Sequence, residues 1–121
     1  MAGFEDLVAW REAAALAANV VDVLPQVRGL AAPSTVSQLS RAAESIPANI
    51  AEGHGRGVGR DCLRFLRIAL SSANELESHL RVAQMSGRLP AKAVAPLLDQ
   101  CIRVRYLIVR FAKSIERRLK D

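Results

Sequence analysis

The sequence predicts an all-α protein, an antiparallel up-down four-helix bundle that forms one domain over residues 1–121. Three observations support this prediction. Half of the residues are hydrophobic, which is enough for a core without disulfides or a metal. Apolar residues recur at steps of three and four, as in amphipathic helices. Short connections containing Pro or Gly separate four such segments, so neighbouring helices should run antiparallel.

The first helix is predicted from about Phe4 to Leu24, because Pro25 ends the pattern. Its apolar series is Leu7, Trp10, Ala14, Ala17, Val20 or Val21, and Leu24. Ser34 and Thr35 are favourable N-cap residues for the second helix. The apolar series of that helix is Val36, Leu39, Ala43, Ile46 and Ile50.

Pro47 lies inside the second helical pattern, which continues through Glu52. Proline has no N–H and its ring clashes with the carbonyl four residues earlier, so a kink is expected near Ala43. The carbonyl released there needs a new donor, and Asn49 or a neighbouring helix is the candidate. The pattern therefore gives Pro47 and Asn49 structural roles.

The third helix is predicted from Asp61 to about Ser86, between a glycine-rich turn and Gly87, and the fourth begins near Pro90. The third helix has a broad apolar face made of Leu63, Phe65, Leu66, Ile68, Ala69, Leu70, Leu76 and Leu80. The main apolar series of the fourth is Val94, Leu97, Cys101, Val104, Ile108, Phe111 and Ile115. A second apolar row on the fourth helix consists of Leu98, Ile102, Tyr106 and Val109. The sequence leaves two interpretations of this row open, an interface between subunits and a broad inner face.

Composition limits the classes of function. Seventeen Lys and Arg against twelve Asp and Glu give a net charge of +5, which favours anionic partners. Only five aromatic residues are present, too few for typical base-stacking platforms, so nucleic-acid contact is expected mainly with the backbone. Cys62 and Cys101 lack metal-ligand spacing and suit a reducing compartment. With neither a signal-peptide pattern nor an apolar stretch long enough to span a bilayer, a cytoplasmic location is expected.

The central sequence Ser45-Ile46-Pro47-Ala48-Asn49-Ile50-Ala51-Glu52-Gly53-His54-Gly55-Arg56 resembles the bacterial four helix bundle protein family, also called the 23S rRNA intervening-sequence protein family. Arg64-Phe65-Leu66-Arg67-Ile68-Ala69, Asn74-Glu75-Leu76-Glu77 and, more weakly, Phe4-Glu5-Asp6-Leu7 with Trp10 extend the resemblance over nearly the whole chain. The accessory variability determinant of diversity-generating retroelements, which works beside a reverse transcriptase, is similar in fold. The chain departs from the family pattern at Val58, Cys62 and Ser71.

This resemblance implies a four-helix protomer that assembles as a ring-shaped homopentamer. It also implies a basic surface suited to nucleic acid and no established catalysis. Members of the family are often encoded within insertions in ribosomal RNA genes. The expected partners are therefore further copies of the chain, DNA or RNA, and a reverse transcriptase.

Two groups of basic residues are candidates for phosphate binding. The first follows the glycine-rich turn at the start of the third helix and consists of Arg56, Arg60, Arg64 and Arg67, with Asp61 as the opposing charge. The second is a stripe on the fourth helix made of Arg103, Arg110, Lys113, Arg117 and Lys120, opposed locally by Asp99 and Glu116. A flexible turn and an ordinary solvated helix face are the alternatives for the two groups.

No pattern indicates a catalytic, metal or cofactor site. Glu75 and His79 are spaced i, i+4, which favours a surface ion pair because no third ligand accompanies them. His54 lies in a glycine-rich turn, a poor setting for a catalytic base. The sequence thus predicts a non-enzymatic oligomeric accessory protein that contacts nucleic-acid backbone. The alternative is a protein–protein interaction scaffold that binds no nucleic acid.

Overall fold

The computed structural model describes residues 4–120, with side chains from Leu7 onward, so the side chains of the opening Phe4-Glu5-Asp6 lie outside the described part. Four α-helices and one 3₁₀ turn make up the fold. The helices are α1 (Phe4–Val23), α2 (Ala32–Gly55), α3 (Arg60–Met85) and α4 (Ala91–Lys120), and the 3₁₀ turn is Leu24–Gln26. Residues 4–120 contain no strand. The predicted all-α fold and its four helices are confirmed.

Each helix packs against two neighbours, in the cyclic order α1, α2, α3, α4 and back to α1. The short connections make consecutive helices antiparallel, as an up-down bundle requires. All seven residues of the main apolar series of α4 are buried, as predicted. The largest fully buried side chains elsewhere are Leu16, Val20, Leu39, Ile46, Ile50, Leu66, Leu76, Leu80 and Leu89. A single core therefore runs the length of the bundle.

The inner face of α1 differs in part from the predicted one, because Ala17 and Val20 are buried as predicted but Leu7 and Trp10 are not. Leu7 and Trp10 are 48% and 43% exposed, whereas Ala9, Ala13 and Leu16 are completely buried. Both series recur at helical spacing, and the prediction followed the larger side chains. The helix instead turns its small alanines inward, which allows close approach to its neighbours. Several large apolar side chains of α1 are consequently left on the surface.

The predicted N-cap of α2 is also wrong. The helix begins at Ala32, with Ala31 in the N-cap position and Pro33 in the first turn, where a missing N–H costs nothing. Thr35 is buried instead, and its Oγ1 accepts a hydrogen bond of 3.4 Å from Arg88. This hydroxyl therefore joins α2 to the connection between α3 and α4 rather than capping its own helix.

Helix α2 continues through Pro47 to Gly55, beyond the predicted end at Glu52. The Asn49 side chain donates to the Ser45 carbonyl at 2.8 Å, not to the Ala43 carbonyl that the proline leaves without its usual donor. Asn49 also donates to the Ser45 hydroxyl at 3.0 Å, and that hydroxyl hydrogen-bonds the Ser72 hydroxyl of α3 at 2.7 Å. Asn49 therefore has the predicted structural role, but with a different acceptor.

The end of α2 lies very close to α3 at Gly53. A Cβ on this glycine would lie 3.1 Å from the Cys62 carbonyl oxygen and 3.3 Å from the Cβ of Phe65. The chain then turns through Gly57, whose positive φ of 76° favours glycine. Helix α3 begins at Arg60, one residue before the predicted start, with Gly59 in the N-cap position.

Both cysteines are buried thiols and neither forms a disulfide. Burial raises the pKa of the Cys101 thiol to about 11, so this sulfur stays protonated at neutral pH. Within residues 4–120, no helix has the length and apolar composition needed to cross a membrane.

Candidate nucleic-acid interface

Helix α4 carries most of the positive charge of the protein. It contains eight Lys and Arg but only two Asp and Glu, a net charge of +6, whereas the whole chain has +5. The rest of the chain is therefore nearly neutral. Positive potential is concentrated along one helix, which is the distribution expected of an electrostatic binding surface.

All five predicted stripe residues of α4 are exposed. Among the described side chains, Lys113, Arg117 and Lys120 have no carboxylate partner. Arg103 differs, because its Nε donates to Glu12 of α1 at 2.8 Å. The sequence analysis considered only the carboxylates of α4 itself, and Glu12 of α1 is an additional one. Arg103 is thus an exposed residue whose positive charge is offset by the Glu12 carboxylate.

Nearby carboxylates partly neutralise the basic group at the start of α3. Arg56 forms ion pairs with Glu52 at 3.2 Å and with Asp61 at 3.5 Å, and Arg64 pairs with Asp61 at 3.5 Å. Both guanidinium groups lie over the Phe65 ring, 5.0 and 4.6 Å from its centre. Asp61 was the only opposing charge recognised from the sequence, and Glu52 is a second.

The positive charges of Arg60 and Arg67 are not offset by a nearby carboxylate among the described side chains. Both are exposed, and neither has an ion pair among the described side chains. Arg60, Arg64 and Arg67 recur at spacings of four and three residues, so they lie along one side of α3. Of the four predicted basic residues, only Arg60 and Arg67 therefore present a charge to solvent that no described carboxylate offsets.

The packing of α3 on α4 brings the two basic groups to the same end of the bundle. Arg105 of α4 donates to Glu77 of α3 at 2.6 Å, and Arg81 donates to the same carboxylate at 2.9 Å. Hydrogen bonds from Arg81 and then Arg105 lower the pKa of Glu77. Because the helices are antiparallel, the first turns of α3 lie level with the last turns of α4. We call this region the basic end, and it comprises Arg56, Arg60, Arg64, Arg67, Lys113, Arg117 and Lys120.

The second apolar row of α4 lies on the outside of the protomer. Ile102 and Tyr106 are 57% and 56% exposed, and Val109 is 37% exposed. Only Leu98 is half-buried against the core. The broad-inner-face interpretation therefore fails for Ile102 and Tyr106, and the row remains a candidate interface between subunits.

Tyr106 also belongs to the basic stripe, a relationship not recognised from the sequence. Arg110 donates to its hydroxyl at 3.1 Å and lies 5.8 Å from the ring centre. This hydrogen bond is the main cause that lowers the pKa of Tyr106. The i, i+4 spacing of the two residues was the available signal. The apolar row and the basic stripe are thus adjacent along one exposed face.

The described residues offer no metal centre. No group of three or more His, Cys, Asp and Glu side chains is placed to bind a metal ion within this part of the chain. His79 and Glu75 lie 3.5 Å apart, which matches the predicted i, i+4 pair.

Taken together, the fold and charge distribution define a four-helix bundle with a basic surface at one end. A family model described as 23S rRNA-intervening sequence protein matches residues 5–110, and the chain belongs to this family. A similar solved structure is a protein of unknown function from the S23 ribosomal protein family of Bacteroides thetaiotaomicron. It has a TM-score of 0.80 and 22% sequence identity, and the match covers 91% of this chain and 99% of that chain. This likeness concerns the fold alone. A comparison with curated proteins found no match.

Proposed function

We propose that this protein is a non-enzymatic, oligomeric accessory protein that binds the phosphate backbone of nucleic acid through the basic end and the outer stripe of α4. The observation that supports this most is the net charge of +6 on α4, with exposed Lys113, Arg117 and Lys120 left without carboxylate partners among the described residues. Phosphate contacts by such side chains release counterions and need no particular base sequence.

Oligomerisation is part of the proposal. The exposed row of Leu98, Ile102, Tyr106 and Val109 would be covered by a neighbouring copy. Burial of large apolar side chains grouped on a helix lowers the free energy of the assembly. The family resemblance favours a homopentamer. A ring would repeat the basic end around an axis and increase avidity for a long polyanion.

The family resemblance also supplies the expected setting. We propose a cytoplasmic protein that acts with a ribosomal RNA carrying an intervening sequence, or beside a reverse transcriptase. In this proposal the protein performs no catalysis and holds no cofactor, and any specificity comes from nucleic-acid shape or from the partner. The neighbouring genes distinguish the two settings, because one requires an interrupted rRNA gene and the other a reverse transcriptase gene.

A protein–protein scaffold is the second candidate function. It is favoured by the ion pairs that occupy Arg56, Arg64 and Arg103, and by the apolar side chains beside the stripe. In this alternative the remaining basic residues serve solubility and contact acidic proteins.

A binding titration separates the two candidates. Fluorescently labelled RNA and DNA are titrated with the protein at low salt, where electrostatic association is strongest, and again at rising salt. The proposed function predicts binding whose log affinity falls linearly with log salt and changes little with sequence. Absence of binding at low salt would replace the proposal with the scaffold function.

A further inference from the structure

A crevice of about 290 Å³ opens at the basic end, between the glycine-rich turn and the last turns of α4. Cys62, Phe111 and Ile115 line its inner part, and all three belong to the buried core. Val58, which is 46% exposed, lines it from the turn, and Arg118 lines it from α4. Because the three core side chains are almost fully buried, the lining that a ligand would meet is more polar than apolar, with Val58 as its most exposed apolar side chain and Arg118 as its cation.

The size of the crevice limits its occupant. Pockets that enclose a whole drug-sized ligand have volumes of about 300–1,000 Å³, so this one suits a single planar ring system that is part of a larger molecule. His54 also lines the crevice and adds a polar group. A planar heterocycle attached to an anion fits this lining, because its edge carries hydrogen-bonding groups and its faces can pack against Val58.

The surroundings favour a nucleotide. Arg118 has no ion pair among the described side chains and can contact a phosphate attached to the group in the crevice. Arg60 follows the turn that forms one wall, and Arg117 precedes Arg118 on the other wall, so unpaired basic residues continue away from both sides. A strand crossing this region would meet cations before and after the crevice.

We propose that the crevice takes the base of one unpaired nucleotide, while the adjoining phosphates lie against Arg118 and the basic end. This inference rests on the proposed function and adds the substrate class, a nucleic acid with unpaired nucleotides in a loop, a bulge or an end. A base within a duplex is paired and stacked and cannot enter, whereas an unpaired base can be turned out toward the protein. Contact between the uncharged base and the walls of the crevice adds affinity that depends little on salt.

The test compares a hairpin RNA with 2-aminopurine in its loop and a blunt RNA duplex with the same number of phosphates. Three proteins are used: the unmodified chain, Val58→Trp, which fills the crevice from its exposed wall, and the control Leu30→Trp. Leu30 is fully exposed in the connection at the other end of the bundle, so both substitutions spare the core. Circular dichroism checks that both variants fold.

The unmodified protein and Leu30→Trp should bind the hairpin about tenfold more tightly than the duplex at the same salt concentration, and 2-aminopurine emission should change on binding. Val58→Trp should bind both RNAs with the affinity that the unmodified protein has for the duplex. It should keep the salt dependence of binding and lose the change in 2-aminopurine emission. Equal binding of hairpin and duplex by the unmodified protein would overturn the crevice inference alone, as would a Val58→Trp variant that keeps the preference. Absence of binding to either RNA would overturn the proposed function together with it.

Discussion

Arg105 of α4 donates to the Glu77 carboxylate of α3 at 2.6 Å, and this pair joins the two antiparallel helices near their middles. With these two residues level and the helices antiparallel, the start of α3 and the end of α4 share one end of the bundle. The pair is itself only about three-quarters buried, and the Nη1 atom of Arg105 is buried without a hydrogen-bond partner in the described part of the protein. Glu77 is therefore the main compensation for a largely buried guanidinium.

Glu77→Gln should lower the free energy of unfolding by about 1–2 kcal/mol, because it leaves Arg105 without its charged partner. The lowered pKa of Glu77 gives the effect a pH dependence. The stabilisation that Glu77 provides is complete above the ordinary glutamate pKa of about 4.3. It is lost as the pH falls through the lower pKa of Glu77 in the folded protein. Urea unfolding of the two proteins should therefore converge in acid. The control Glu75→Gln, which changes a carboxylate that is 62% exposed beside His79, should change stability by less than about 0.5 kcal/mol.

Gly53→Ala should destabilise the protein by about 1–3 kcal/mol, since the new Cβ would press against the Cys62 carbonyl, a rigid backbone group, at 3.1 Å. Alanine favours a helix over glycine by up to about 1 kcal/mol, which offsets only part of this strain. The matched control is Gly55→Ala, whose Cβ would meet nothing within 4 Å. Thermal melts should show a lower Tm for the first variant only. Equal melting temperatures would mean that the α2–α3 contact is looser than described.

Asn49→Ala should cost about 1 kcal/mol, because the amide donates to both the carbonyl and the hydroxyl of Ser45 in a partly buried site. Ser45 in turn pairs with Ser72 across the α2–α3 contact. Ser45→Ala combined with Asn49→Ala should cost less than the sum of the single changes, since the residues share one network. A double-mutant cycle by chemical denaturation measures this coupling, and strict additivity would argue against the network.

Ile102→Glu should produce a folded monomer or a smaller assembly, because a charge would replace an apolar side chain in the proposed subunit interface. Leu30→Glu introduces the same charge at another exposed apolar residue and should leave the assembly unchanged. Light scattering and circular dichroism report assembly and folding separately. If the unmodified protein is a monomer at micromolar concentration, the interface proposal is wrong.

The fold could be predicted from the sequence because each helix has apolar residues at a regular spacing and a Pro or Gly near its ends. The inner face of α1 could not be predicted in this way. Leu7 and Trp10 on one side of the helix and Ala9 and Ala13 on the other both fit the helical spacing of three to four residues. Packing against α2 and α4 decides between them, and this information is not local.

The two basic groups could also be recognised as local sequence patterns, but the carboxylates that pair with some of their arginines could not. Glu12 pairs with Arg103 from a helix about ninety residues away, a contact that only the tertiary structure determines. The meeting of the two groups at one end depends on the level of α3 beside α4. The crevice lined by Val58, Cys62 and Arg118 likewise arises from two segments, residues 54–62 and 111–118, that are distant in sequence. No spacing in the sequence indicates it.

The salt dependence of nucleic-acid binding by a charge-reversal pair tests the central claim most directly. Lys113→Glu with Arg117→Glu removes two exposed cations of the basic end, while the control pair Arg11→Glu with Arg41→Glu makes the same change in net charge at exposed residues of α1 and α2. The unmodified protein should show a linear fall of log affinity with log salt, at a slope of about −0.9 per neutralised phosphate on duplex DNA. The first pair should weaken binding and reduce the slope by about one to two, and the control should keep the original slope. Equal losses in both pairs, or no binding by the unmodified protein at low salt, would contradict a phosphate-binding surface on α4.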